Sequence, residues 1–348
     1  MYTTDLEVLV TASRWVAAGH FVILATVVKT WGSSPRPLGS MMVIREDGHV
    51  RGSVSGGCIE DDLIDRMRSQ DLARLLPFST AYGMNADEAH RFGLPCGGTL
   101  ALMLEPLSHT SRLDELIDAL RQGRVMQRTV EIATGTVLLE DATRSGSAHA
   151  TDAHYISFHG PQYRLVIIGA GQLSRYVAQF ALALDYAVTV CDPREEFLSE
   201  WDVPGVQCSA EMPDDLITQM APDSRTAVVT LTHDPKLDDM ALLEALSSQA
   251  FYVGALGSRK NTAQRRDRLA LFDLDQSSID RLRGPVGLHL GAKTPPEIAL
   301  AIVAELTAFR HEIPVVQTHP SPREPGASTT ELPPGFARAR PVSIGGTT

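Results

Sequence analysis

The sequence has no Cys-x-x-Cys pair, and its four cysteines are scattered through 348 residues. So few excludes a disulfide framework, and the missing pair argues against a zinc ribbon. No apolar run approaches the ~18 residues a membrane span needs; the longest, around Phe21–Val28 and Leu165–Ile168, are strand-sized. Met1-Tyr2-Thr3-Thr4-Asp5 lacks a positive region ahead of an apolar one, so no secretory signal is read there. The expectation is a cytoplasmic protein with reduced thiols and no membrane contact. Positive charge is also scarce. A net charge of -11 has the wrong sign for non-specific nucleic-acid binding, though it leaves room for a local basic pocket for one small anion. What remains is an ordinary globular mix of apolar and charged residues, in a chain long enough for two domains.

The spacing of Leu6, Leu9, Val10, Val16 and Ala17 predicts an amphipathic helix over Asp5–Ala18, ended by Gly19. Phe21–Lys29 is a continuous β-branched run, the mark of a buried strand. Trp31–Pro37 must be loop, because two prolines and a glycine interrupt any ladder. Ser40–Arg45 and His49–Ser53 flank Asp47-Gly48 and predict a hairpin. A helix is expected from Ile59 to Leu75, strands at Thr99–Leu104 and Val125–Ile132, and a helix at Leu113–Gln122 between them. Asp141–His154 is polar and aperiodic and reads as a linker. Beyond it, Leu165–Ile168, Ala187–Cys191, Thr226–Leu231 and Ala250–Val253 alternate with helical stretches, the pattern of a parallel sheet. Pro295–Arg310 predicts a last helix, with proline at its start. These elements divide the chain into residues 1–140, a linker 141–154, a dinucleotide-binding-type domain 155–312 and a disordered tail 313–348 rich in Pro, Ser, Thr and Gly.

In the second domain a strand runs into Gly169-Ala170-Gly171-Gln172-Leu173-Ser174 and then a helix. Gly169 permits the tight turn, and Gly171 lets backbone approach a pyrophosphate at the positive helix end. Gln172 lies in the same turn. Asp192 ends the second strand, where an acidic residue would bind a ribose hydroxyl. Ser174 replaces the usual third small residue and is small enough to preserve helix–strand packing. The alternative is a Rossmann-like scaffold that kept its glycines for geometry alone.

In the first domain, Ser55-Gly56-Gly57-Cys58 and Cys96-Gly97-Gly98 each set a cysteine beside two glycines. Paired glycines let consecutive N–H groups converge into an anion-binding nest. Cys58 sits at an expected helix N-terminus, a place where a thiol pKa falls and a thiolate becomes a soft-metal ligand or sulfur nucleophile. Cys58 and Cys96 are therefore the candidate soft-metal or sulfur contacts, weighed against the bland reading of small buried hydrophobes. Cys191 and Cys208 read as core. Arg36, beside Ser33 and Ser34, suits a phosphate or anionic oxo group, or is a solvated loop arginine. His233 follows a parallel strand and is read as lining the cleft, with Asp234 as a helix cap. Ser258 and Arg259 open a helix, where hydroxyl and cation suit a phosphate.

The blocks Gly32-Ser33-Ser34-Pro35-Arg36, Gly52–Glu60 and Pro95-Cys96-Gly97-Gly98, followed by Thr232-His233-Asp234, Tyr252–Arg259, Gly287–Ala292 and Thr294–Ala299, resemble the XdhC/CoxI family of xanthine dehydrogenase accessory proteins. The resemblance runs from about Leu6 to Arg310. It implies an α/β fold, with an N-terminal XdhC/CoxI-type domain followed by a Rossmann-like parallel-sheet domain. It also implies a chaperone that binds the molybdenum cofactor (molybdopterin), favours its sulfurated form and delivers it to a xanthine dehydrogenase or aldehyde oxidoreductase apoenzyme. The Trp31–Arg36 stretch is similar to the aldehyde oxidoreductase branch, which uses the cytosine dinucleotide form. The implied partners are the large subunit of the apo-molybdoenzyme, a cysteine desulfurase or a cofactor nucleotidyltransferase, and a second copy in a homodimer.

Two further functions compete with that reading. One is an oxidoreductase exchanging hydride through NAD(P) at Gly169–Ser174, although no Tyr-x-x-x-Lys pair supplies a conventional proton relay. The other is a nucleotide-sensing regulator of cofactor maturation. Hydride-transfer activity is not expected.

Overall fold

The computed structural model describes residues 4–31, 36–73, 75–83, 99–142, 148–272 and 274–315. Its opening helix, α1 (Thr4–Ala17), is the expected one. Strands β1 (Val22–Trp31), β2 (Met41–Arg45), β3 (Val50–Gly52), β4 (Phe78–Tyr82) and β5 (Thr99–Pro106) form an antiparallel sheet in the order β3-β2-β1-β5-β4. Asp47-Gly48 closes the β2–β3 hairpin, with Ile44 opposite Val50.

The reason β1 is apolar residue after residue is that both of its faces are covered. Ile23, Ala25 and Val27 pack with Ile59 and Leu63 of α2 (Cys58–Arg68). Val22 and Leu24 pack with Leu9 of α1 and Leu116 of α3 (Leu113–Arg121). Helix α2 stops at Arg68 rather than Leu75, because Gln70 takes a left-handed φ of 63° and Leu75 is exposed, with nothing to pack against.

A second antiparallel sheet contains β6 (Met126–Glu131), β7 (Val137–Asp141), β8 (His149–Ala150) and β9 (His154–His159), in the order β7-β6-β9-β8. The stretch Asp141–His154 therefore departs from the linker expectation: it runs between two strands that both pair with β6, and it contributes β8, with His149 opposite Ile156. Both β8 residues are exposed, so its polar composition is that of a short edge strand. Arg128 on β6 joins the two sheets through a buried two-point ion pair to Glu105 on β5, with one N–O distance of 2.8 Å.

The second half is the expected parallel sheet. Strands β10 (Tyr163–Ile168), β11 (Tyr186–Cys191), β12 (Gln207–Ser209), β13 (Thr226–Thr230), β14 (Tyr252–Ala255) and β15 (Leu282–Arg283) lie in the order β12-β11-β10-β13-β14-β15. The helices, in chain order, are α4 (Gln172–Ala183), α5 (Glu195–Leu198), α6 (Pro213–Met220), α7 (Pro235–Ser247), α8 (Arg259–Leu269), α9 (Gln276–Asp280) and α10 (Pro295–Arg310). Val177 and Ala181 of α4 and Ile302 and Leu306 of α10 cover one face; Leu216 of α6 and Leu242 of α7 cover the other. Strand order reverses between β11 and β13 on either side of β10, which makes the carboxyl ends there the natural ligand crevice.

Cys191 is buried, as expected, whereas Cys208 is exposed. It lies on β12, which has a neighbour on one side only, so a short edge strand leaves its thiol uncovered. Among the described residues no helix is long and apolar enough to cross a membrane. The expected tail from residue 316 onward lies outside the described residues.

Candidate functional site

The hairpin delivers the chain into the cysteine loop through Gly52. Its φ is 89°, and a Cβ there would press on the Met41 carbonyl and come within 2.7 Å of Val8 Cγ2, so only glycine fits. Ser53–Gly57 then wraps around the carboxylate of Glu60. The backbone N–H groups of Val54, Ser55, Gly56 and Gly57 donate to it at 2.9, 2.7, 2.9 and 2.8 Å. The Ser53 hydroxyl donates at 2.7 Å, and the Ser55 hydroxyl donates as well. Burial alone would raise the Glu60 carboxyl, but the bonds from Ser55, Gly56 and Ser53 outweigh it and hold the group down to about 2.

This loop is the anion nest expected from the glycines, and its anion is the chain's own. The N–H groups of Gly56 and Gly57 point at Glu60, not outward. Glu60 thus holds the shape of the loop, a role the sequence did not assign to it. Its signal was spacing: an acid three residues after the first residue before a helix is the reciprocal-capping position.

Cys58 is the first residue of α2, and its thiol is exposed. Arg36 reaches the same loop, its Nε donating to the Ser53 hydroxyl at 3.3 Å. The structure therefore brings Arg36, Ser55, Gly56, Gly57 and Cys58 together around one hydrogen-bond network. Ser33, Ser34, Cys96, Gly97 and Gly98 lie outside the described residues. Among the described residues no group of three or more His, Cys, Asp or Glu side chains could hold a metal ion.

In the Rossmann half Gly169 has a φ of 104°, and a Cβ would come 2.8 Å from Thr232 Cγ2. The glycine is needed for the close approach of the β10 and β13 loops. At Gly171 a Cβ would meet nothing within 4 Å, so the backbone before α4 faces open space. Gln172 is exposed beside it. The cleft there has a volume of about 480 Å³ and is also bordered by Arg175, Phe197, Glu196 and Glu200. Ser174 is 1% exposed, in keeping with its expected packing role.

Asp192 departs from its expected role. Its carboxylate is fully buried, accepts the Ala170 N–H at 2.9 Å and is gripped by the Arg194 guanidinium at 2.8 and 2.7 Å. Burial raises its pKa, but Arg194 and the Ala170 N–H lower it further, so the carboxyl lies below its usual range. An acid with no exposed surface braces the glycine turn instead of meeting a ribose. Two residues of spacing, Asp192 to Arg194, decide that outcome, and the guanidinium stacks 4.0 Å from the Phe197 ring.

His233 is exposed at the carboxyl end of β13, and Asp234 caps α7 by accepting the Lys236 N–H at 2.9 Å. Ser258 likewise caps α8, accepting the Asn261 N–H at 3.2 Å, and Arg259 is exposed next to it. No hydrogen bond ties His233, Ser258 and Arg259 to the Cys58 loop among the described residues.

The two halves match two family models. The XdhC and CoxI family model covers residues 15–74, and the XdhC Rossmann domain model covers residues 165–306. The Escherichia coli protein named molybdenum cofactor insertion chaperone PaoD is 29% identical, over 84% of this chain and 85% of its own. A Bacillus subtilis protein named as a probable xanthine dehydrogenase subunit is 27% identical, over 84% of this chain and 94% of its own. A crystal structure described as a xanthine dehydrogenase from Bacillus halodurans superimposes with a TM-score of 0.67 at 26% identity, covering 88% of this chain and 96% of that one. With one model on the half that carries Cys58 and the other on the parallel sheet, in that order and together over more than half its length, the chain belongs to the XdhC and CoxI family.

Proposed function

We propose that the protein carries a molybdenum cofactor as cargo and inserts it into an apo-molybdoenzyme of the xanthine dehydrogenase or aldehyde oxidoreductase type. What carries the reading is the exposed Cys58 thiol, presented on a loop braced by Glu60 and flanked by Arg36, in a chain whose E. coli relative is named a molybdenum cofactor insertion chaperone. The residues fit the cargo in two places. A dithiolene-bound metal is soft and suits a thiol, and the phosphate of a pterin cofactor suits a guanidinium. The glycine N–H groups are taken by Glu60, so Arg36 is the first anion donor the cargo meets. Ser33, Ser34, Cys96, Gly97 and Gly98 join this site on their motifs alone.

In this reading the cargo is the sulfurated cofactor, in its molybdopterin or cytosine dinucleotide form, received from a cysteine desulfurase or a nucleotidyltransferase. A homodimer suits the hand-over. The open backbone at Gly171, with Gln172, His233, Ser258 and Arg259 around the crevice, is the place for NAD(P) or another nucleotide. A ligand there would have to do without the Asp192 carboxylate. Anaerobic purification after loading, followed by molybdenum and pterin analysis, tests the reading. Close to one molybdenum and one pterin per chain are expected, with at least about tenfold weaker retention in Cys58→Ser. A wild-type protein that retains neither would refute it.

A further inference from the structure

A cavity of about 380 Å³ opens between the first half and the parallel-sheet half, at the lower end of the ~300–1,000 Å³ typical of small-molecule sites. Its walls alternate apolar and polar. Leu38, Leu120 and Phe158 offer apolar surface. Asp5 from the first turn of α1 and Asp185 from the turn between α4 and β11 offer carboxylates. The segment Pro37–Ser40, which follows Arg36 directly, closes one side and ties the cavity to the Cys58 loop through a few residues of chain.

One buried polar atom there lacks the partner that buried polar groups need. Asp185 Oδ1 is buried and accepts no hydrogen bond, and the residue holds a left-handed φ of 64° in the turn. His159 is 7% exposed; one ring nitrogen, Nε2, bonds the Ser157 hydroxyl at 2.8 Å, and no bond to Nδ1 occurs among the described residues. Burial and the neighbouring Arg128 push the imidazole down to about 3, so it is neutral and offers one donor and one acceptor. Asp5 keeps surface open to the cavity but stands among protein atoms; this crowding and the Asp185 carboxylate push it up to about 6. Among the described residues the only cation on the wall is Arg310, which lies 4.3 Å from the Tyr163 ring and donates to the Leu184 carbonyl at 3.1 Å. A site with two carboxylates, a neutral imidazole and apolar walls that include the Phe158 ring fits a heterocycle that presents adjacent N–H donors. It does not fit a phosphate.

We propose that this cavity holds the fused-ring head of the cargo, with the amino–amide edge of a pterin donating to Asp185 and Asp5. The proposal rests on the cofactor-carrying reading above and deepens it. A pterin presents a ring N–H beside an exocyclic amine, the donor pair that one carboxylate accepts at two points. Cytosine has a single donor group on that edge and leaves half of the carboxylate pair unused.

The test uses the full chain and 6-hydroxymethylpterin, followed by its own fluorescence, with cytidine monophosphate and inorganic phosphate as competitors. Asparagine keeps the size of both acids and is tolerated in left-handed backbone, so Asp5→Asn/Asp185→Asn should fold; a thermal melt checks this. Pterin is expected to bind wild type and to bind the double variant at least about tenfold more weakly. The exposed-surface control Asp118→Asn should bind like wild type, and neither competitor should displace pterin. Equal binding by wild type and double variant, no binding to wild type, or displacement by cytidine monophosphate or phosphate would overturn the assignment. Molybdenum retention is measured on the same proteins. If pterin binding fails while wild type still retains molybdenum, the cavity assignment falls and the carrier function stands; if wild type retains no molybdenum, the function falls too.

Discussion

Replacing Glu60 by glutamine preserves the length of the side chain, removes its charge and turns one of the two acceptor oxygens, which receive three and one backbone N–H bonds, into an N–H₂ group. The wild-type carboxyl is held at about 2 instead of its ordinary 4.5. At ~1.36 kcal/mol per pH unit that corresponds to at most about 3.4 kcal/mol of linkage. The side chain is 9% exposed, but its loop borders solvent, and screening there reduces the figure to ~2 kcal/mol. On the scale of a 150–250-residue domain this is about 4–8 °C in Tm. The sign follows from a depressed carboxyl: the contribution is complete above the unfolded value near 4.5 and is lost as pH falls towards 2. Thermal unfolding of wild type and Glu60→Gln at pH 7 and again near pH 3 measures it, with amide exchange reporting on residues 54–57. The variant should melt lower at pH 7, the gap should narrow at pH 3, and exchange should rise in the loop. Equal melting at pH 7, or a gap unchanged by acid, would refute the idea that this carboxylate braces the Cys58 loop.

Substitutions at Gly169, Gly171, Arg128 and Asp234 separate geometry from function. Gly169→Ala should destabilise by about 1–3 kcal/mol through positive φ and the clash with Thr232, whereas Gly171→Ala should leave the melt within ~0.5 kcal/mol, because its Cβ enters open space. Arg128→Met strands the buried Glu105 carboxylate and should cost about 3–5 kcal/mol in denaturant unfolding, while Arg128→Met/Glu105→Leu should recover most of it. If the double variant is as unstable as the single one, the pair is not the source of the loss. Asp234→Ala removes the cap of α7 and should cost about 1 kcal/mol by the same assay, with no change in cofactor retention.

The features legible in the sequence are those whose cause is local. The Gly169 turn, the Asp47-Gly48 hairpin and helix α10, with Pro295 in its first turn, depend on residues within a few positions of each other. Strands β4, β7, β8 and β9 escaped because they are short and half-exposed, and what holds them is pairing with partners elsewhere in the chain. The glycine nest was legible as an anion site, but motif alone does not say whether the anion is a ligand or the chain's own Glu60. Asp192 was placed correctly at the end of β11 and misread in role, because Arg194 takes the carboxylate that a ribose would need. The cavity groups were invisible to pattern: Asp5, His159 and Asp185 come from a helix, an inner strand of the second sheet and a turn, and only the tertiary fold brings them together.

The most direct test of the central claim is delivery. Protein loaded anaerobically with sulfurated molybdenum cofactor is mixed with the apo form of a xanthine dehydrogenase-type enzyme in the presence of an excess of a cofactor-scavenging protein, and recovery of hydroxylase activity is followed. The account predicts that wild type restores activity under scavenging, while Cys58→Ser and Arg36→Ala restore about tenfold less. Activation no better than that given by free cofactor under the same scavenging would contradict it.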